Sequence, residues 1–345
     1  MLRYMHTLLM LAAIALPFSA NLNAERKTAS FSSKAEKYAF TDSNSIFVAD
    51  KHGSRSKVFF KEGRSLRHHK LSSDGKTIAV QLRNPNKKIE QPPVATYFGH
   101  ELVIKDIEKD SVLLDIAMDR LLDFCWSPDG RKIVFIKGIF ERSLRPTFGA
   151  EGKEVYILDV TSGELKKLLD GGEEKTFWAV KWLPMDGRLY LTTTVLKEHN
   201  FFVNAFYYDF ESKKLVPTRA HSANLSPDGK FCLETYGEGE QGTFSDAETG
   251  ERIELIFDNK EEQKLYQSGY FSLFDWKVED GTAFAIGINS NKWWTVDCAT
   301  GRVSLLKLPA QVANASGNGF RAVGMKNGKI VWSQKKTDNR VEFIN

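Results

Sequence analysis

Histidine is the residue type in this chain with the widest chemical range, because a neutral imidazole can bind a metal ion or transfer a proton near neutral pH. Five of the seven histidines fall in segments that we place on connections between repeating strands: His68, His69, His100, His199 and His221. None has the H-x-x-x-H spacing that brings two ligands to one face, and adjacent side chains such as His68 and His69 usually diverge. The histidines therefore predict no metal site.

Acidic side chains offer a second route to chemistry, as general acids or bases. They cluster in two stretches, at Glu238 and Glu240 and at Asp258, Glu261 and Glu262. Charge runs of this kind are usually solvated loops. The chain has no G-x-S-x-G elbow for a serine nucleophile and no Gly-rich cradle for a nucleotide. The sequence thus predicts no catalytic residue and no cofactor.

The cysteines indicate packing rather than redox chemistry. Cys125, Cys232 and Cys298 lie far apart in the chain, and each falls in or beside a predicted strand. There is no C-x-x-C pair, and an odd number in different repeats is typical of small buried apolar residues. We predict neither a disulfide bond nor a thiol site.

A ten-residue phrase recurs about every fifty residues, and this period is typical of radial arrays of small sheets. The copies are FSSKAEKYAF from Phe31, LSSDGKTIAV from Leu71, WSPDGRKIVF from Trp126, WLPMDGRLYL from Trp182, LSPDGKFCLE from Leu225, WKVEDGTAFA from Trp276 and VGMKNGKIVW from Val323.

The third copy shows how one repeat folds. Apolar and polar residues alternate up to Trp126, and the turn Pro128-Asp129-Gly130 then reverses the chain. An apolar strand follows at 133–136, and a third strand ends at Asp159. A fourth strand follows the turn at 161–163. Each repeat therefore predicts four antiparallel strands.

An acidic residue ends the third strand of most repeats. These residues are Asp50, Asp106, Asp159, Asp209, Asp246 and Asp297. Each precedes a short turn, where an Asp side chain can accept hydrogen bonds from backbone amides two or three residues on. We interpret them as turn caps rather than metal ligands.

The fold prediction is an all-β propeller of four-stranded antiparallel blades that fills residues 25–345 as one domain. Seven blades are preferred, the last one incomplete. Six blades with an irregular N-terminal segment are the alternative, because the first repeat lacks the Asp-Gly turn. The best helix candidate, residues 260–267, is short and lies between strands.

The chain begins with features of an export signal. Arg3 precedes an apolar run at residues 7–18, and small residues lead to Ala24. We expect residues 1–24 to be a cleaved signal peptide and the mature chain to be periplasmic or extracellular, without stable membrane insertion. An uncleaved anchor is the alternative. The net charge of +4 is mild and spread out, so nucleic-acid binding is not expected.

The SPDG-type turns, the K-x-I-x-F strands after them and the Y-x-x-D strands resemble the TolB-like propeller repeats. Similar repeats build the propellers of the tricorn and prolyl-oligopeptidase relatives. The resemblance covers residues 29–345 and implies a propeller fold. It implies no particular activity.

Three connections on one face of the expected propeller are long and varied: residues 83–100, 138–153 and 197–202. They belong to consecutive repeats, so we expect them to be neighbours that present aromatic and arginine side chains, the mixture enriched at protein interfaces. Alternatively, they pack on one another over the channel mouth. The candidate partner-binding residues are Tyr97, Phe98, Phe140, Arg142, Arg145, Phe148, His199, Phe201 and Phe202.

The sequence favours an exported, noncatalytic, monomeric scaffold that binds a protein or peptide partner in the cell envelope through this face. The first alternative is a propeller hydrolase or lyase acting on saccharide or lactone substrates at the mouth of the central channel. The second is a propeller that gates a separate peptidase. Converging carboxylates or histidines in a polar pocket would favour the enzyme, and an aromatic rim with arginine would favour the scaffold.

Overall fold

The computed structural model describes most of the chain after residue 28. The described residues are 29–32, 37–42, 45–50, 55–59, 63–91, 95–139, 151–171, 175–185, 187–197, 200–219, 224–234, 242–280, 282–290, 292–308, 320–326, 329–335 and 341–344. The expected signal peptide lies outside these residues. No helix within the described part has the length and apolar character needed to cross a bilayer.

The first two repeats each form a four-stranded antiparallel sheet. Unit 1 contains β1 (Ala29–Ser32), β2 (Lys37–Asp42), β3 (Ser45–Ala49) and β4 (Arg55–Phe59). Unit 2 contains β5 (Ser65–Leu71), β6 (Thr77–Gln91), β7 (Ala95–Asp106) and β8 (Ser111–Met118). Each strand pairs with its neighbour in the chain, as tight turns between consecutive strands require.

The third and fourth repeats join into one eight-stranded sheet. Unit 3 contains β9 (Arg120–Trp126), β10 (Lys132–Ile139), β11 (Glu151–Asp159) and β12 (Leu165–Asp170). Unit 4 contains β13 (Thr176–Trp182), β14 (Leu189–Lys197), β15 (Asn200–Asp209) and β16 (Lys214–Pro217).

Gly152 makes the junction between these two units, where it pairs with Phe177 across β11 and β13. A Cβ atom at this glycine would press on the backbone of Phe177 and stand 2.7 Å from Cγ2 of Ile136. Only a residue without a side chain therefore allows the two backbones to approach this closely.

The last three repeats are shorter or less regular. Unit 5 contains β17 (Phe231–Glu234) and β18 (Thr243–Asp246), flanked by isolated bridges at Leu225 and Arg252. Unit 6 contains β20 (Ser272–Glu279), β21 (Thr282–Asn289), β22 (Lys292–Asp297) and β23 (Arg302–Leu305), and β19 (Ile256–Phe257) runs parallel to β23. Unit 7 contains β24 (Phe320–Lys326), β25 (Lys329–Lys335) and β26 (Val341–Ile344).

The predicted helix is present as α1 (Lys260–Gln267), between β19 and β20. The side chain of Asn259 caps it by accepting a 2.9 Å hydrogen bond from the backbone amide of Glu262. The helix buries Tyr266 against unit 6, where the ring meets Trp294 edge to face.

The first strands of the units form the inner ring of the molecule. β1 lies against β5 and β24, β5 against β9, β9 against β13, and β20 against β24. The contact between β1 and β24 brings the first and last units together. The hydrophobic clusters lie between successive units, as in the one that packs Ala39 and Ile46 of unit 1 against Val80 of unit 2. Sheets arranged around an axis and packed face to face form a β-propeller, which confirms the predicted fold class.

The Asp-Gly turns of units 2, 3 and 5 share one geometry. In unit 2, Ser72 Oγ donates a 2.6 Å hydrogen bond to Asp74 Oδ1, and the same oxygen accepts from the backbone amide of Lys76. Gly75 follows with φ +64°, a conformation that favours glycine. These turns lie between first and second strands, so they all fall on one face of the propeller.

Five of the six acidic residues at the ends of third strands act as turn caps, and the turn after the sixth, Asp50, lies outside the described residues. Asp159 Oδ1 accepts hydrogen bonds from the backbone amides of Thr161 and Ser162, both at 3.0 Å. The same pattern occurs at Asp106, Asp209, Asp246 and Asp297. The described residues hold no group of three or more His, Cys, Asp or Glu side chains that could bind a metal ion.

Candidate binding face and central ring

The structure corrects the prediction of a loop at residues 83–100. β6 and β7 continue beyond the body of unit 2 as a two-stranded ribbon that reaches the pair Gln91 and Ala95. A register shift between Asn84 and Lys88 marks a bulge in the ribbon. Sequence reasoning missed these strand residues because Asn84, Pro85 and the lysines near them are weak strand formers. We name residues 84–91 and 95–99 the β6–β7 ribbon.

Within the predicted loop at 197–202, residues 197 and 200–202 lie in strands rather than in a loop. β14 and β15 pair from Leu189 and Tyr208 out to Lys197 and Asn200. In unit 3, β10 and β11 pair as far as Ile139 and Glu151, so the predicted loop at 138–153 begins and ends in strand. Units 2 and 4 thus extend hairpins from the face opposite the Asp-Gly turns.

The β6–β7 ribbon has open edges on both sides among the described strands. β5 pairs with β6 only as far as Ser65 and Arg83. β8 pairs with β7 only from the His100 and Met118 pair onward. Beyond these points each ribbon strand pairs with one described strand, and no other described strand covers the backbone donors and acceptors on its second side.

The predicted partner-binding residues divide into two groups. Tyr97 and Phe98 lie on β7 within the ribbon, opposite Ile89 and Lys88. Phe201 and Phe202 lie on β15, opposite Leu196 and Val195. The remaining candidates lie outside the described residues: Phe140, Arg142, Arg145, Phe148 and His199.

Three histidines are placed differently from the prediction, and one of them, His100, lies within β7. His68 and His69 lie within β5, on the inner ring, and not on a connection between units. His69 is fully buried, and its Nε2 donates a 3.1 Å hydrogen bond to the carbonyl oxygen of Ala39 in unit 1. Burial lowers the pKa of His69 to about 4, against the opposing effect of the Ala39 hydrogen bond.

His69 is expected to make the protein sensitive to mild acid. The unfolded chain takes up a proton on this ring near its ordinary pKa of 6.5, whereas the folded chain resists protonation down to about 4. The contribution of His69 to the free energy of unfolding is therefore fully present above pH 6.5. It is lost as the pH falls from 6.5 to about 4, and the loss is about 3 kcal/mol. Urea unfolding gives the free energy of unfolding at about pH 7 and about pH 4.5. We expect the change between these two pH values to be smaller for His69→Gln than for the parent. Equal differences would contradict this role.

One face at the base of the ribbon holds an ion pair. Arg64 Nε lies 3.2 Å from Glu101 Oε2, and Asn84 Nδ2 donates a 2.7 Å hydrogen bond to Glu101 Oε1. Glu101 is buried, so its charge is stabilised by both partners. This network ties the start of β5 to the first residue of the ribbon.

The other face at the base of the ribbon is built around His100. Residues 100 and 101 are neighbours on β7, so their side chains point to opposite faces of the sheet. The backbone amide of Leu121 in unit 3 donates a 3.0 Å hydrogen bond to His100 Nδ1, and the amide of buried Gln81 donates to the same nitrogen at 2.9 Å. The Gln81 amide also donates to the carbonyl oxygen of Leu121 at 2.9 Å.

The charges around His100 are positive. Burial lowers the pKa of His100 to about 4, and Arg120, Arg67 and Arg83 lower it further, while the Leu121 backbone contact opposes the shift. The pKa of Arg83 is itself lowered, first by burial and then by Arg67. The base of the ribbon therefore concentrates cationic groups between units 2 and 3.

The inner ring carries a second charged group that links three units. Lys70 Nζ of β5 lies 3.1 Å from Asp123 Oδ1 of β9, and it also donates to the carbonyl oxygen of Phe124. Asp123 Oδ2 accepts a 3.0 Å hydrogen bond from the backbone amide of Val180 in β13. Both oxygens of this carboxylate are thus used to join units 2, 3 and 4.

A third group on the inner ring lies between units 4, 5 and 6. Lys181 Nζ donates a 2.6 Å hydrogen bond to the carbonyl oxygen of Leu225. Burial lowers the pKa of Lys181 to about 8, although the nearby Asp275 carboxylate raises it. Burial likewise raises the pKa of Asp275, against the Trp276 amide hydrogen bond and the charge of Lys181. Two oppositely charged side chains therefore share the desolvated interior of the ring.

Sequence reasoning missed these inner-ring residues. A signal was present: in Leu-Asp-Phe-Cys-Trp and Phe-Asp-Trp a charged residue interrupts an otherwise apolar first strand. In the structure, Asp123 and Asp275 each follow a register shift in their strand, where a bulge re-aims side chains. Both aspartates occupy a similar position in the first strand of their repeat, and a charged residue in a solvated loop would not be tied to such a position.

The cysteines lie where they were predicted. Cys125, Cys232 and Cys298 are free and buried. Burial raises the pKa of all three thiols, to about 12, about 11 and about 12 in that order. Thiols with raised pKa values in apolar surroundings are poor nucleophiles.

Comparison with known proteins supports the fold. No protein-family model and no curated protein matches the chain. Among solved structures, the β-propeller domain of the Trilobed protease from Pyrococcus furiosus is similar, with 15% identity, coverage of 91% of this chain and 90% of that chain, and a TM-score of 0.54. A chain of the mitotic checkpoint complex has 15% identity, coverage of 92% and 86%, and a TM-score of 0.53.

Oligogalacturonate lyase from Vibrio parahaemolyticus is a third similar structure, with 11% identity, coverage of 82% of this chain and 77% of that chain, and a TM-score of 0.52. At these identities the likeness shows the β-propeller fold alone. The assignment to the TolB-like repeats stays a prediction.

Proposed function

We propose that this protein is an exported, noncatalytic seven-bladed propeller that binds a protein or peptide partner through the face bearing the extended hairpins of units 2 and 4. The blade number follows the seven repeats, and the contact between β1 and β24 supports a ring that closes at the seventh. Export rests on the predicted signal at residues 1–24.

One observation carries this proposal, namely the open edges of the β6–β7 ribbon. A strand edge with unsatisfied backbone donors and acceptors is a template for an extended peptide, which adds as a further strand. The main chain then provides affinity, and alternate side chains provide specificity. Tyr97 and Phe98 lie on this part of β7.

The rest of the molecule suits such a role. The ribbon stands on a base fixed by Arg64, Glu101 and Asn84 on one face and by the His100 contacts on the other. A binding surface that is rigid before the partner arrives loses little conformational entropy on binding.

Site-specific photo-crosslinking tests the proposal. We expect a photoreactive amino acid at Asn86, which is exposed on the ribbon, to cross-link a protein or peptide in the native envelope. The matched control is Lys109, exposed in the β7–β8 turn on the opposite face of the same unit. Cross-links from Lys109 alone, or from neither position, would contradict the proposal.

The second candidate is an enzyme that acts on a saccharide at the central ring. The observation that favours it is the convergence of Lys181 and Asp275, with their shifted pKa values, in the interior of the ring. This candidate expects the purified chain to cleave an acidic oligosaccharide such as oligogalacturonate, and it expects Asp275→Asn to abolish the cleavage. The scaffold proposal expects no turnover by either protein.

A further inference from the structure

The base of the β6–β7 ribbon gathers hydrogen-bond donors from two units. Arg83 and His100 are direct partners across β6 and β7, so their side chains lie on the same face of the sheet. Arg67 occupies the register shift in β5 beside Leu66, whose partner Leu82 precedes Arg83. Arg120 precedes Leu121, the residue whose backbone amide bonds to His100.

The hydrogen bonds of His100 fix which of its nitrogens carries the proton. Two N–H donors point at Nδ1, the backbone amide of Leu121 at 3.0 Å and the Gln81 amide at 2.9 Å, and they outnumber the one acceptor near it, the Leu121 carbonyl oxygen at 3.1 Å. The neutral ring therefore carries its proton on Nε2. Every hydrogen bond that the described part of the chain makes with this ring involves Nδ1, so Nε2–H remains available to a ligand.

All four groups at this site are hydrogen-bond donors, and three of them carry a positive charge. Three guanidinium groups and an N–H of a neutral imidazole can all donate, and none of them can accept. The buried carboxylate nearest in sequence, Glu101, lies on the opposite face of β7 and pairs with Arg64. Arg67 is exposed, so a ligand can reach the site from solvent.

We propose that Arg67, Arg83, Arg120 and His100 Nε2–H form a carboxylate-binding site for an acidic peptide whose backbone lies along the ribbon edge. This inference rests on the proposed function and names the chemistry of the partner. A guanidinium group matches a carboxylate in a two-pronged, charge-assisted geometry, and the open edge beside the site fits an extended peptide better than a free anion. Acidic side chains on the partner therefore select the register in which the added strand binds.

The test uses defined probes on the full chain. Fluorescence anisotropy at low salt compares a labelled, end-blocked peptide rich in glutamate with its glutamine counterpart. We expect the glutamate peptide to bind about tenfold or more tightly than the glutamine peptide. The double variant Arg67→Gln, Arg83→Gln is expected to remove this preference, whereas Arg131→Gln, at an exposed arginine in an Asp-Gly turn on the opposite face, is expected to retain it.

A further variant guards against misfolding. Arg67→Gln alone changes an exposed residue, so we expect this variant to keep the unfolding temperature of the parent. We expect it nevertheless to lose part of the preference for the glutamate peptide. Equal binding of the two peptides, or an unchanged preference in the double variant, would overturn the site. Binding of inorganic phosphate or oligogalacturonate without the peptide would overturn the peptide as its occupant. If Asn86 cross-links a partner and any of these results is also found, the proposed function stands and this site is rejected.

Discussion

Replacement of residues 84–99 by a two-residue Asn-Gly turn is expected to reduce partner capture about tenfold or more while the propeller still folds. Arg83 and His100 are directly paired, so a two-residue turn can close the hairpin at this point without a change of register. The truncation removes both open edges of the β6–β7 ribbon. It retains the Arg64 and Glu101 ion pair and removes only the Asn84 contact below it.

The core of unit 2 lies below the truncation. Ile78, Val80 and Leu82 of β6 are buried in the cluster shared with unit 1, so thermal unfolding is expected to change little. The measurement is capture of cross-linked partner by tagged parent and truncated proteins in equal amounts. Lys109→Ala, at an exposed residue in the β7–β8 turn on the opposite face of unit 2, is the control and is expected to leave capture unchanged. Undiminished capture by the protein lacking the β6–β7 ribbon would contradict the proposal.

Tyr266→Ala is expected to destabilise the protein by about 3–5 kcal/mol, because it empties a large and fully buried site. The ring of Tyr266 lies 5.4 Å from Trp294 and 5.3 Å from Phe257, measured between ring centroids. It is the buried residue through which α1 attaches to unit 6. Loss of this ring removes one aromatic packing partner from each of these two neighbours.

Two matched variants isolate this effect. Tyr270, four residues on, is 58% exposed, and Tyr270→Ala is expected to change stability by about 0.5 kcal/mol or less. The buried Tyr266 hydroxyl has no hydrogen-bond partner among the described residues, so Tyr266→Phe is expected to cause no loss. Chemical denaturation gives the three free energies of unfolding. Similar losses for Tyr266→Ala and Tyr270→Ala would show that the α1 contact does not stabilise the fold.

The sequence was sufficient for the fold class because the same local chemistry recurs in most of the repeats. Ser-Pro-Asp-Gly fixes a turn through a side-chain hydrogen bond and a glycine with positive φ, as at Asp129 and Gly130. The acidic caps at Asp106 and Asp159 work equally locally. Interactions that span only a few residues can be read from a single chain without knowledge of tertiary contacts.

The candidate site was harder to predict because its parts meet only in three dimensions. The pairing of Arg83 with His100 depends on a ribbon that weak strand formers build, and the contact of His100 with Leu121 joins two units. The link from Lys70 through Asp123 to Val180 spans three units. Such contacts leave no fixed spacing in the sequence, since they depend on how the sheets are arranged around the axis.

Hydrogen–deuterium exchange, read by mass spectrometry with the partner recovered by cross-linking, tests the central claim most directly. A peptide that adds as a strand takes up the open backbone amides of the ribbon, so residues 84–91 and 95–99 are expected to exchange more slowly in the complex. The Asp-Gly turns at 72–76 and 127–131, on the opposite face, are expected to exchange as in the free protein. Slower exchange at those turns, with the ribbon unchanged, would contradict the account.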